Sequence, residues 1–175
     1  MASIEFDLNP VSRLTTGAIG PPGKRVFYLQ ARQESTLVTL IVEKAQIQSL
    51  AVGLGQFLEE LGAQYPDLPE PIAEYDEADM QLEQPIEPAF RVGQLGLGYD
   101  RATDRVVIVA HELQPEGADP EEGGVARFWC SRAQLLAMGS WGLELVGRGR
   151  PICGNCGEPI DPEGHFCPRS NGHKH

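Results

Sequence analysis

The residues whose side chains are best suited to bind a metal or to react lie together near the C-terminus. Three of the four cysteines and three of the four histidines fall within residues 151–175. Cys153 and Cys156 form a Cys-x-x-Cys pair followed by glycine, an arrangement in which two thiolates on a tight turn bind one zinc ion. Because structural zinc takes four ligands in a tetrahedron, two more donors are needed. The spacing predicts Cys167 as the third.

Two histidines compete for the fourth position. His165 lies just before Cys167 in a His-x-Cys pair, and His173 lies beyond it in a Cys-x5-His pair. Both spacings can reach the metal, so the residues alone leave this choice open. Three thiolates and one imidazole would close the site, which favours structural zinc. The alternatives are a catalytic zinc, which keeps one position for water, and a redox pair of Cys153 and Cys156.

The overall charge argues against nucleic acid as a general partner. The 175 residues carry 14 Lys and Arg against 25 Asp and Glu, a formal charge of −11. Such a surface repels the phosphate backbone that supplies most non-specific nucleic-acid affinity. Binding of nucleic acid would therefore have to use the basic residues near the C-terminus. These are Arg148, Arg150, Arg169 and Lys174.

The rest of the chain shows no catalytic pattern. It has no Ser–His–Asp order, no His-Glu-x-x-His and no Gly-x-Gly-x-x-Gly motif. His111 is interpreted as a surface or hydrogen-bonded histidine, and Cys130 as a buried structural thiol. We therefore expect a non-enzymatic zinc-binding protein that acts as a protein-interaction or regulatory module. The alternatives are nucleic-acid binding through the tail and a metal-assisted enzyme with a cleft between two repeats.

Two stretches of the chain show the same order of predicted elements: strand, strand, strand, helix. Runs of β-branched and aromatic residues between turn residues indicate the strands, and apolar residues at helical spacing indicate the helices. The first stretch has predicted strands at 13–20, 25–31 and 37–42, and a helix from 43. The second has strands at 90–99, 105–110 and 125–130, and a helix from 131, with Ser131 as its N-cap.

The predicted fold class is therefore α+β, with duplicated βββα units, antiparallel sheets and one helix per unit, plus a C-terminal zinc-binding tail. The expected parts are a first repeat at 1–66, a linker at 67–88, a second repeat at 89–148 and the tail at 149–175. The linker holds eight acidic residues, several prolines and no Lys or Arg, which favours an extended, solvated connection. An acidic arm for a basic partner is the alternative.

No apolar run is long enough to span a membrane, and the N-terminus has neither the basic nor the apolar region of a secretory signal. We therefore expect a soluble cytoplasmic protein with no membrane partner. The oligomeric state is not indicated by any pattern.

Two motifs in the sequence resemble those of a known family. The first consists of Arg13, Gly17, Gly20, Gly23, Arg25, Phe27, Gln30 and Ala31, and the second runs through the tail from Cys153 to Gly172. Together they resemble an uncharacterised bacterial family, a domain of unknown function with the number thirty-ninety. The resemblance implies a small cytoplasmic protein without established activity. It also favours His165 as the fourth ligand, because His173 lies past the end of the family's tail motif.

Overall fold

The computed structural model describes residues 4–21, 23–72, 74–119 and 122–148. Within these ranges the chain is α+β, with one mixed seven-stranded sheet and two α-helices. The strands are β1 (Glu5–Leu8), β2 (Arg13–Ile19), β3 (Val26–Gln33), β4 (Thr36–Val42), β5 (Pro88–Asp100), β6 (Arg105–Glu112) and β7 (Val125–Cys130). The helices are α1 (Lys44–Gln64), α2 (Arg132–Gly147) and a short 3-10 helix, η1 (Glu77–Met80).

The six strands and both helices expected from the sequence are present, with strand ends displaced by one or two residues. Ser131 caps α2 as predicted: its hydroxyl accepts a hydrogen bond from the Gln134 amide, and the Ser131 amide donates one to the side-chain oxygen of Gln134 (2.9 Å). β1 and η1 were not predicted from the sequence; each is only four residues long. Neither of the described α-helices combines the length and apolar character needed to cross a membrane.

The expectation of antiparallel sheets is wrong for two strand pairs. The order in the sheet is β1-β7-β6-β5-β4-β3-β2, and both β1–β7 and β4–β5 are parallel. Between β4 and β5 the chain passes through α1 and η1. A crossover of this length returns the chain in its original direction, so the next strand joins in parallel.

The two ends of the sheet approach each other where β1 connects to β2. These strands are outermost in the sheet order, yet only residues 9–12 join them. The Val11 amide donates to the Trp129 carbonyl of β7 (2.8 Å), and the Ser12 amide donates to the Arg32 carbonyl of β3 (2.7 Å). The sheet is therefore strongly curved, and one of its faces encloses the hydrophobic core.

Both helices pack against each other and complete this core. Their buried apolar residues include Ile47, Leu50, Leu54, Leu61, Leu135, Met138, Trp141, Leu145 and Val146. A Cβ atom at Gly139 would lie 2.5 Å from the Leu54 Cδ2 atom, so glycine is what permits the close approach of α2 to α1. At Gly53 and Gly55 of α1, by contrast, an added Cβ would meet nothing within 4 Å.

Part of the acidic segment wraps around the free edge of β2; we call residues 74–84, within the described ranges, the acidic strap. The Arg13 guanidinium donates to the Asp79 carbonyl (3.0 Å from Nε) and to the Gln81 carbonyl. The Gln30 side chain donates to the Glu83 carbonyl (3.0 Å) and accepts from the Glu83 amide (2.8 Å). These contacts order a segment whose composition indicates a solvated connection.

The strap also covers a row of buried polar side chains. Thr15, Gln30 and Thr39 lie directly opposite one another on β2, β3 and β4, and all three are buried. The Thr15 hydroxyl donates to the Met80 carbonyl of the strap (2.6 Å), and the Gln30 side chain donates to the Thr39 hydroxyl (3.0 Å). Because buried polar groups need partners, this row gives the strap a defined position.

Two adjacent threonines of β2 allow a matched test of this contact. Thr15→Val is expected to lower the free energy of unfolding by about 1–2 kcal/mol, because the Met80 carbonyl loses its donor. Thr16→Val should leave stability unchanged or raise it, since the buried Thr16 hydroxyl has no partner among the described residues. Urea unfolding of both variants measures the difference. Equal losses would show that the contact with the strap contributes nothing.

Candidate functional site

The longest described strand, β5, has an unpaired edge over most of its length. β4 pairs with it only near its beginning, where Thr39 lies opposite Pro88 and Ile41 opposite Arg91. β4 ends at Val42, and the chain then turns into α1. On its other side, β5 pairs with β6 as far as its last residue. Residues 92–100 therefore have no neighbouring strand on the side of α1 in the described part of the chain.

A groove of about 500 Å³ runs between this edge and α1. The helix wall presents Gln46, Ser49, Gly53, Phe57 and Glu60, which recur about once per turn and so lie on one side of α1. The strand wall includes three consecutive residues, 95–97. Since side chains alternate between the faces of a strand, a surface formed by consecutive residues includes the backbone at the strand's edge. The groove therefore exposes main-chain groups together with apolar side chains.

Each end of the groove is bounded by a contact with β5, made at one end by α1 and at the other by Tyr65, which follows α1. At one end, the Gln46 side chain donates to the Val92 carbonyl (3.0 Å). Beyond the other end, the rings of Tyr65 and Tyr99 pack with centroids 5.9 Å apart, and the Arg101 guanidinium lies 4.6 Å above the Tyr65 ring. The groove is thus an elongated space whose length follows the strand.

Among the residues that the structure describes, Glu60 is the charged residue that lines the groove. Glu60 has no cationic partner among the described residues, whereas Glu43 is paired with Arg91 (2.6 Å) near the start of α1. No Lys or Arg within the described ranges lines the groove. The one carboxylate in the wall of the groove is therefore available to a ligand.

A second cluster ties the acidic strap to the end of α2. The Arg148 guanidinium donates to both carboxylate oxygens of Glu77 and to Glu144 (2.5 Å), and lies 5.0 Å from the Trp141 ring. The hydrogen bond from Arg148 holds the pKa of the Glu77 carboxyl below its usual range. Tyr75 donates to Glu144 (2.8 Å), the main reason why the pKa of Glu144 is also lowered. The predicted nucleic-acid contact Arg148 is thus already paired with two carboxylates.

A third cluster joins the start of α2 to the β5–β6 turn. Asp104 accepts hydrogen bonds from Arg132 (2.9 Å from Nε and 3.1 Å from Nη2) and from the Tyr99 hydroxyl (2.7 Å). Arg132 also donates to the Pro69 carbonyl (2.6 Å). The Arg132 guanidinium lowers the pKa of the Asp104 carboxyl. All these groups are used in joining elements, which indicates a structural role.

The predicted metal ligands lie outside the described residues. They are Cys153, Cys156, Cys167, His165 and the alternative His173; the basic residues Arg150, Arg169 and Lys174 lie outside as well. Within the described ranges, no group of three His, Cys, Asp or Glu residues is arranged to hold a metal. The zinc site and its fourth ligand therefore remain predictions from sequence.

The two other residues singled out from the sequence are described. Cys130 is fully buried on β7, and burial raises the pKa of its thiol to about 12, which confirms the interpretation as a buried thiol. His111 is partly buried on β6, opposite Val125 of β7 and Gln94 of β5. Neither residue lines the groove. The sequence signal for the groove was the glycine-rich composition of a strand much longer than its neighbour β4.

Comparison with known proteins identifies a family for this chain. No curated protein and no solved structure matches the chain significantly. A family model matches residues 6–167, which confirms the resemblance to this family. Because this match spans most of the 175 residues, the chain belongs to the family described as Protein of unknown function (DUF3090).

Proposed function

We propose that this protein is a non-enzymatic protein-interaction module whose C-terminal tail binds one structural zinc ion. The observation that carries this proposal is the character of the groove between α1 and β5. Its walls offer backbone groups, leucines and one carboxylate, which is a surface for binding another chain. The clusters around Arg132 and Arg148 support the same conclusion, because their charged groups are engaged in joining elements.

The proposed zinc ligands are Cys153, Cys156, His165 and Cys167, with His173 as the alternative fourth ligand. The family match supports this set, since it includes the first four residues and ends before His173. The tail follows α2 directly, and the last described residue is Arg148, which the acidic strap contacts through Glu77. A folded tail would therefore start from a fixed point on the body of the protein.

The body itself is proposed to have arisen by duplication of a βββα unit. β2–β3–β4 and β5–β6–β7 are each antiparallel in chain order and are each followed by a helix. The third strand of the first unit pairs in parallel with the first strand of the second. This arrangement is what two copies placed side by side in one sheet would produce.

An activity screen tests the non-enzymatic part of the proposal. Zinc-loaded full-length protein is assayed against a broad panel of phosphoesters and acyl esters, with His111→Ala and Cys167→Ala variants prepared in parallel. We expect no turnover that depends on either residue. Turnover of any substrate that His111→Ala or Cys167→Ala abolishes would contradict the proposal and favour the metal-assisted enzyme.

A further inference from the structure

We propose that the groove between α1 and β5 binds an extended segment of a partner protein as an added strand, and that this segment alternates apolar residues with Lys or Arg. The inference rests on the proposed interaction function and names the chemistry of the partner. It depends on three properties of the groove: an open strand edge, an apolar floor with free space, and an unpaired carboxylate.

The open edge of β5 favours a partner segment whose main chain is extended. Along residues 92–100, β5 is paired only with β6, so the backbone groups on its other side lack a strand partner within the described residues. Main-chain amides and carbonyls alternate along such an edge at a fixed spacing. Another extended backbone offers acceptors and donors at the same spacing, which is why exposed edges bind peptides by strand addition.

The floor of the groove accepts apolar side chains. Leu95 and Leu97 from β5 and Leu50 and Phe57 from α1 line it. Because side chains of an added strand alternate between its two faces, every second residue would point towards these groups. At Gly53 an added Cβ would meet nothing within 4 Å, so the helix wall leaves room for the incoming side chains.

The charge of the groove favours basic residues at the partner positions that alternate with the apolar ones. Glu60 lines the groove. In the part of the chain that the structure describes, Glu60 has no cationic partner and no Lys or Arg lines the walls. The formal charge of the chain is −11, so a second copy or an acidic segment would be repelled. Lysine or arginine beside the apolar residues would both neutralise Glu60 and be attracted by the surrounding field.

The test uses a fluorescein-labelled peptide of four alternating valine–lysine pairs, titrated into the full-length protein by fluorescence anisotropy. Gly53→Leu fills the groove, and the affinity is expected to fall by at least about tenfold. Gly55→Leu is the matched control, because Gly55 lies on the same helix, also has free space around it, and does not line this groove. It should bind within about twofold of the original protein. Both variants should fold, since leucine favours helix over glycine.

A second matched pair of variants separates the effect of the carboxylate in the groove from the effect of net charge. Glu60→Gln removes the carboxylate in the groove, whereas Glu59→Gln changes the net charge equally beside a different surface depression. Glu60→Gln should weaken binding several-fold more than Glu59→Gln. A peptide with glutamate in place of lysine, and one with alternate backbone amides N-methylated, should each bind at least about tenfold more weakly.

Each opposite result overturns the proposal. Equal binding to Gly53→Leu and Gly55→Leu would place the peptide elsewhere, and equal effects of the two glutamate variants would reduce binding to general charge attraction. Undiminished binding of the N-methylated peptide would exclude strand addition, and absence of binding by the valine–lysine peptide would exclude this partner chemistry. None of these outcomes affects the zinc content or the activity screen, so failure here is distinguishable from failure of the proposed function.

Discussion

Purified full-length protein is expected to contain about one zinc ion per chain by elemental analysis, as a closed four-ligand site requires. Cys153→Ser and Cys167→Ser should each reduce this content to near zero, because removal of a thiolate opens the coordination sphere. The effect should be large, since structural zinc stabilises a small, core-poor segment by on the order of 10 kcal/mol. Proteolysis of the zinc-free protein should then cut the tail sooner than the body.

The two histidines provide the discriminating comparison. His165→Ala should lose more zinc than His173→Ala, because His165 lies within the family match and His173 beyond it. Cys130→Ala is the control, since the fourth cysteine is buried on β7, far along the chain from the predicted ligands, and should leave the zinc content unchanged. If His173→Ala loses the metal instead, the site exists with a different fourth ligand. Zinc-free original protein would contradict the site itself.

Local patterns were sufficient to predict most of the strands and helices, because the physical cause of each lies within a few neighbouring residues. Val125 and the aromatic residues Phe128 and Trp129 indicated β7, and Ser131 indicated the start of α2. β1 was missed because a four-residue strand carries too little pattern of its own. It is held by parallel pairing with β7, whose residues are more than a hundred positions away in the chain.

Long-range partners explain the remaining differences. The acidic segment has the composition of a solvated linker, yet Arg13, Thr15 and Gln30 supply donors that hold the strap against β2 and β3. Its acidic residues are partly neutralised there, with Glu83 paired to Arg32 (2.5 Å). The groove was likewise not predicted, because the length and glycine content of β5 do not show where β4 ends relative to it. That offset is a property of strand pairing across the sheet and leaves no periodic signal in either strand.

The Asp104–Arg132 pair should have the largest effect on stability that a single charge-removing substitution produces in the body. The Arg132 side chain is only 10% exposed, so its charge depends on the Asp104 carboxylate and the Pro69 carbonyl. Asp104→Asn is expected to lower the free energy of unfolding at pH 7 by about 2 kcal/mol, because a nearly buried guanidinium loses its counter-charge. Asparagine is the suitable replacement, since residue 104 has a positive φ (50°), which asparagine tolerates.

The pH dependence identifies the carboxylate as the cause. Arg132 lowers the pKa of Asp104 from its ordinary value of 3.8 in the folded protein, so the unfolded chain binds this proton more readily. The stabilisation is therefore present above about pH 4 and is lost as the pH falls through the folded-state pKa. In urea unfolding, the difference between the original protein and Asp104→Asn should be large at pH 7 and smaller at pH 3.

A double-mutant cycle with Arg132→Gln then separates this pair from other acid-sensitive contacts, such as those of Asp67 and Glu77, whose pKa values are also lowered. In the Arg132→Gln background, Asp104→Asn should cost little further stability at either pH, because the carboxylate has already lost its cationic partner. A loss that is the same in both backgrounds, or the same at pH 7 and pH 3, would assign the effect to the Tyr99 hydrogen bond or to the turn itself. The connection between α2 and the β5–β6 turn would then not depend on charge.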